Sequence, residues 1–359
     1  MIIYRLKIAV LGILTCSLCH QAFADPGVFK DRIVFGQSAV MKGPAAALGI
    51  GMNTGILAAF NAQNAQGGID GRKLDLLTYN DGYEPELAAA NTKKLIVKDN
   101  VFALIGAVGT PTSRVSVPIA NKYNVPFIGP FTGAGFLRKS ENSNVINIRA
   151  SYEQEAETWV QHLTEDLGVT RIAVFYQDDS FGQAGLKGVR KALASRNMRL
   201  VARGNYARNL TAVHSALFTI RKAEPEAVVM VGAYRPNAAF IRLARTFELD
   251  AIFINISFVG AKALAKELGT AGKEVVISQV VPFPWDTDIK LVSEYHKALS
   301  AFNKDIEPGF VSLEGYIVGR LIIESLKRLK GEPTRENLLN TIYTSGPFEL
   351  GGINLSFAE

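Results

Sequence analysis

Two short stretches of this 359-residue sequence carry hydroxyls and small residues together: Gly109-Thr110-Pro111-Thr112-Ser113 and Phe131-Thr132-Gly133-Ala134. Neither contains a carboxylate, a cysteine or a histidine. What they offer is hydrogen-bond donation from hydroxyls and backbone N–H groups, so a group received there is an acceptor such as a carboxylate. A helix N-terminus adds about 0.3–1 kcal/mol to such binding, and up to about 2 kcal/mol when partly buried. The same Ser and Thr side chains serve equally well as caps of a helix beginning at Thr112.

The flanking residues explain why both loops would lie side by side. Residues 102–105 form an apolar run closed by Gly106, and residues 125–128 form another closed by Gly129 and Pro130. Between them residues 112–123 have helical spacing, with Val115, Ile119 and Ala120 on one face. Strand, helix and strand in this order make a parallel unit. In open parallel sheets ligands bind beyond the carboxyl ends of the strands, where helix N-termini present free N–H groups.

Other chemistry has little to work with. The four histidines, His20, His162, His214 and His296, show no metal-ligand spacing. The chain has no G-x-S-x-G elbow, no P-loop and no H-E-x-x-H. Gly49-Ile50-Gly51 with Gly55 departs from the dinucleotide fingerprint in spacing and falls inside a helical stretch, which makes these glycines close-packing positions. No enzyme activity, metal or cofactor is therefore expected. The net charge of +6 is mild and scattered, without the basic tracts and interleaved aromatics that would suggest nucleic acid.

The first 24 residues read as a secretory signal peptide: basic Arg5 and Lys7, an apolar stretch at 8–18, and Ala22-Phe23-Ala24 as a small-x-small cleavage site. The apolar stretch is too short for a membrane anchor. A lipid anchor at Cys16 or Cys19 would lack the small residue expected just before it, since Thr15 and Leu18 stand there. Cleavage after Ala24 removes both cysteines, leaving no disulfide in an oxidising, periplasmic space. The remaining length suggests two domains, because single cores stop growing near about 250–300 residues.

The chain alternates strand and helix throughout. Residues 32–38 read as a strand, 45–66 as an alanine-rich helix, 73–78 as a strand and 85–98 as a helix, leading into the stretch at 102–137. After the short apolar run 145–149 the rhythm restarts. Helices are expected at 153–167, 182–195, 211–222 and 235–247, with strands at 171–176, 200–202, 227–231 and 251–255. Residues 275–285 read as a further strand, followed by helices at 288–303, 310–328 and from Thr334, and by a hairpin about Gly351-Gly352. This is an α/β chain with two mainly parallel sheets flanked by helices.

MKGPAAALG, GGIDGRKLDLLTYND, VPFIGPFTGA, RIAVFYQDDSFGQAG and VVMVGAY, in this order and spacing, resemble the periplasmic solute-binding proteins of ABC importers, leucine/isoleucine/valine-binding type. The resemblance spans residues 32–357 and implies two lobes joined by three crossover strands around a ligand cleft. Lobe I would comprise 25–147 and 283–343, lobe II 148–282 and 344–359. The first crossover falls at 148–149, the second at 275–285 and the third near 346–348, which the end at Glu359 would leave incomplete or loosely held.

Carried over residue by residue, the family's contacts fall on Gly109, Thr110, Phe131, Thr132 and Gly133 in lobe I, and on Phe181 and Tyr234 in lobe II, with Phe310 as an apolar wall. Thr110 and the N–H groups around Thr132 and Gly133 would take a ligand carboxylate. In the family's amino-acid binders an acid holds the ligand ammonium. Ser257, beside Phe258, stands at that place here, which puts an amino-acid ligand in doubt unless Asp178, Asp179 or Glu314 replaces it. Asp178 and Asp179 could equally cap the next helix, Glu314 could pair with a basic neighbour, and Phe131, Phe181, Tyr234 and Phe258 could be ordinary core. The resemblance implies a monomer that captures an amino acid or other carboxylate and delivers it to a membrane permease. A sensor docking on a membrane receptor or kinase is the alternative.

Overall fold

A computed structural model describes residues 25–358. The expected signal peptide, residues 1–24, with Cys16 and Cys19, lies outside the described residues. The first unit runs β1 (Arg32–Ala39), α1 (Ala46–Asn64), β2 (Lys73–Asn80), α2 (Pro85–Val97), β3 (Leu104–Ile105), α3 (Thr110–Lys122), β4 (Phe127–Ile128) and β5 (Val145–Ile146). Its five strands are all parallel, in the order β2-β1-β3-β4-β5. β3 and β4 are buried on both faces, so they read as unbroken apolar runs rather than alternating ones.

The second unit repeats the plan: α4 (Tyr152–Gln161), β6 (Ile172–Gln177), α5 (Ser180–Ala194), β7 (Ala202–Tyr206), α6 (His214–Arg221), β8 (Ala227–Val231), α7 (Tyr234–Thr246), β9 (Ile252–Asn255), α8 (Ala261–Leu268) and β10 (Val276–Ile277). Its sheet, β10-β9-β8-β6-β7, is again all parallel and has the same winding, with the chain turning outward on both sides of its first strand. Such a reversal opens a crevice at the carboxyl ends of the strands. The result is a two-lobed α/β fold.

Three helices follow, α9 (Lys290–Phe302), α10 (Phe310–Arg328) and α11 (Arg335–Thr344), and then a hairpin of β11 (Phe348–Glu349) and β12 (Asn354–Leu355). α9 and α10 pack against α1. The contact is close because glycines meet backbone. A Cβ on Gly55 would lie 1.9 Å from the Ser312 carbonyl oxygen, and one on Gly315 would lie 2.3 Å from that of Met52. The hairpin rests on the same helices, the Leu291 N–H donating to the Gly351 oxygen at 2.7 Å and Arg328 lying over the Phe348 ring. Among the described residues no helix is long and apolar enough to cross a membrane.

Several local expectations shift. α3 begins at Thr110 rather than Thr112, and its buried face is Ser113, Ser116, Val117 and Ala120; Ala120 lies on it as expected, whereas Val115 and Ile119 are only partly buried. Small polar residues can be buried there because hydroxyls pair between helices, Thr92 donating to Ser116 at 2.8 Å. β7 lies at 202–206 instead of 200–202. It is an edge strand in which Arg203 and Asn205 are exposed, so it shows no apolar run. Only residues 276–277 of the expected strand 275–285 are paired. Pro282 and Pro284 lack the N–H a ladder requires.

Candidate functional site

The strand ends of both sheets bring most of the expected residues together. At the end of β2, Asp81 is fully buried, accepting from the Tyr83 N–H at 2.9 Å and from the Ser38 hydroxyl at 2.8 Å. Burial pushes its carboxyl up to about 6, against the lowering effect of those two bonds. The turn holds Tyr83 at φ +65°, with its ring against Gly109. Gly109 caps α3 at φ +103°, and a Cβ there would sit 2.2 Å from the Tyr83 ring, so conformation and space both require glycine.

Val108 bridges Phe131 in parallel, which makes the two hydroxyl-bearing loops neighbours. The Thr110 and Thr132 hydroxyls are 2.6 Å apart and buried. The Thr132 N–H, expected to face a ligand, instead donates to the Pro130 carbonyl at 2.8 Å, leaving the hydroxyl as this residue's contribution. The Gly133 carbonyl accepts from the Tyr152 N–H at 2.8 Å and so ties this loop to the start of α4. The Tyr152 hydroxyl is buried beside Thr132, without hydrogen-bond geometry to it.

Aromatic rings from the two lobes fill the space between these loops. The Phe258 ring lies 5.3 Å from Phe131, 4.5 Å from Phe181 and 6.1 Å from Tyr83, and Tyr152 lies 5.6 Å from Phe181. Phe181 is set by Asp179, which caps α5 by accepting from the Phe181 N–H at 2.9 Å. That is the capping role open to Asp179 from the sequence.

Arg149, which follows β5 as the chain passes to the second lobe, is the principal residue missed by sequence reasoning. Its side chain is 1% exposed and lies 4.5 Å over the Phe131 ring. Nη2 donates to the Ser257 hydroxyl at 2.6 Å, and Nε lies 3.3 Å from Glu314 Oε1 off the line of a hydrogen bond. Ser257 in turn donates from its hydroxyl and N–H to Glu155, at 2.9 and 3.1 Å, and the Ser278 hydroxyl donates to the same carboxylate at 2.8 Å. Burial pushes the Glu314 carboxyl up to about 7. Arg149 opposes that shift and the Glu155 charge adds to it.

Two expected residues lie elsewhere. Tyr234 begins α7, accepts from the Ala47 N–H at 3.4 Å, and with Phe310 lines a separate cavity of about 450 Å³ among α1, α7 and the start of α10. Phe310 is partly exposed, in an aromatic group with Phe283 and Trp285. A recess of about 430 Å³, lined by Thr110, Tyr152 and Ser180 with Arg114, Lys139 and Lys187, marks the other side of the cleft. The lobes also meet at polar contacts. Gln177 donates to the Tyr83 hydroxyl at 3.4 Å, Arg208 donates to Glu84 at 2.8 Å, and Asn209 donates to Glu84 at 2.7 Å, while within the second lobe Arg208 also donates to Asp179 at 3.1 Å. Among the described residues no group of three or more His, Cys, Asp or Glu could hold a metal ion.

Comparison with known proteins agrees with the two-lobed fold. Residues 32–358 match the family model described as periplasmic binding protein. The chain is 24% identical over 301 residues to the leucine-specific-binding protein of Salmonella typhimurium (strain LT2), covering 84% of this chain and 79% of that one. It superimposes with a TM-score of 0.87 and 39% identity on the crystal structure of a possible leucine/isoleucine/valine-binding protein from Rhodopirellula baltica SH 1, over 90% of this chain and 89% of that one. A solute-binding protein of an ABC transporter from R. palustris, in complex with benzoate, shares the fold with a TM-score of 0.80 at 21% identity, over 91% of this chain and 89% of that one. With a family match over nearly all the described residues and the same winding in both sheets, the chain belongs to the periplasmic binding protein family and is of its leucine/isoleucine/valine-binding type.

Proposed function

We propose that this protein is an extracytoplasmic solute-binding protein that captures a small carboxylate-bearing ligand in the cleft between its lobes and delivers it to the permease of an ABC importer. The observation that carries this reading is the convergence of buried donors on one aromatic wall. The Thr110 and Thr132 hydroxyls, the Tyr152 hydroxyl and the Arg149 guanidinium all lie about the Phe131, Phe181 and Phe258 rings. Donors on an apolar body suit a ligand with one anionic end. Proteins of this fold take ligands as unlike as leucine and benzoate, so the ligand is argued from this chain's own groups. The lobe division at 147/148 and 282/283, the periplasmic address and the monomeric state belong to the same proposal. The docked ligand would stabilise the closed state by the difference in its contacts between closed and open forms.

A thermal-shift screen of residues 25–359 tests the proposal, using branched-chain and aromatic amino acids, their amine-free acids and their amides. A ligand at 100 times its Kd adds about 2.7 kcal/mol, a rise of a few degrees in Tm for a chain of this size. No shift with any of these compounds would overturn the reading.

A further inference from the structure

We propose that Arg149 is a built-in cation occupying the place that a ligand ammonium would need, so that the cleft selects carboxylates with an apolar or aromatic body and no α-amine. The inference rests on the cleft being the ligand site. Its starting point is Ser257, which stands where the resemblance calls for an acid. The neighbour of Ser257 is a protein cation, with Arg149 Nη2 2.6 Å from its hydroxyl. The charge that an amino acid would bring to this point is already present, and a second cation beside it would be repelled.

Neither nearby carboxylate is free to pair with an ammonium. Glu155 accepts from the Ser257 N–H, the Ser257 hydroxyl and the Ser278 hydroxyl, and Glu314 lies against Arg149. Asp179 is committed to the cap of α5, to Gln177 and to Arg208, and Asp178 is exposed. What is unmet is donation. Arg149 Nη1 is buried with no acceptor, and so is the Tyr152 hydroxyl. Arg149 Cζ lies 4.5 Å over the centre of Phe131, the ring that begins the aromatic group, so a carboxylate taken by Nη1 and Tyr152 would have its body against Phe131, Phe258 and Phe181. Two carboxylates facing one guanidinium leave excess negative charge only when Glu314 is ionised, and burial opposes its ionisation.

Isothermal titration of residues 25–359 with matched pairs decides the matter: 4-methyl-2-oxopentanoate against leucine, and 3-phenylpropanoate against phenylalanine. In the pair that binds, the amine-free acid is expected to bind at least tenfold more tightly than its amino acid. Arg149→Gln should abolish acid binding, and Arg149→Lys, which keeps the charge but not the fork, should weaken it tenfold or more. Should Arg149→Gln fail to fold, the paired titrations on the unaltered protein still decide. An amino acid that binds as tightly as its amine-free partner overturns the inference and leaves the solute-binding function standing. If no compound of either kind binds, the ligand-site reading itself fails.

Discussion

Thr110 and Gly109 show how far single residues can be read. Both sit in a loop whose place after a strand end and before a helix start follows from local pattern, and the structure puts them at the carboxyl edge of the first sheet. If Thr110 gives one buried hydrogen bond to the ligand, Thr110→Ala should weaken binding by about 1–3 kcal/mol, read by titration. Unchanged affinity would remove it from the site. Gly109→Ala should cost about 1–3 kcal/mol of folding stability, since alanine at φ +103° is strained and its methyl would meet the Tyr83 ring. A denaturant midpoint equal to the parent's would contradict that. Arg149 and Tyr83 were not legible in the same way. Arg149 follows an apolar run and looks like the end of a crossover, but its partner Ser257 is 108 residues away. Tyr83 is placed by a left-handed backbone turn that no side-chain periodicity encodes. Such roles arise from long-range contact, which the residue's own neighbourhood does not record.

The elements were legible wherever burial was continuous or amphipathic. β6 and β8 are buried at every position and stand out as apolar runs, and α10 has the bounds expected, 310–328. β7 and the stretch after β10 were misjudged because an edge strand and a proline-broken connection carry no burial signal. Element ends also determine how the lobes meet. Glu84 precedes α2 in the first lobe, and Arg208 and Asn209 follow β7 in the second, so their bonds can form only when the lobes are together. These side chains are partly exposed, and such pairs contribute about 0.2–1 kcal/mol. Arg208→Ala should therefore raise the ligand off-rate by roughly two- to fivefold with little change in on-rate, as a closure contact would. Stopped-flow measurement showing an unchanged off-rate would deny this contact a part in holding the lobes closed.

At the scale of the whole molecule, the candidate site is a charge cluster buried where two lobes meet, and the protonation of its carboxyls is linked to folding. The Glu314 carboxyl titrates at about 7 in the folded chain, above its ordinary value of 4.5, and that of Asp81 at about 6, above 3.8. In each case burial is the largest cause, so the folded state holds the proton more tightly than the unfolded one. Their contribution to stability is complete below the unfolded values and is lost as pH rises through about 6 for Asp81 and about 7 for Glu314. The groups acting on Glu314 are Arg149 and Glu155, while Tyr152, whose hydroxyl burial pushes up, acts on Arg149, and Arg138 is itself lowered by burial and by Arg149. Stability should therefore fall between about pH 4 and pH 7, and Glu314→Gln should flatten the upper part of that fall, as a Tm series on both proteins would show. Equal slopes would mean that Glu314 ionises normally. A ligand carboxylate docking on Arg149 would add negative charge beside Glu314 and draw a proton onto it. Titrations at pH 7.5 in phosphate and in Tris, whose ionisation heats differ, should then report proton uptake on binding. Proton release, or none, would place the ligand's charge away from this cluster and send the search for its anchor back to the Thr110 and Thr132 hydroxyls.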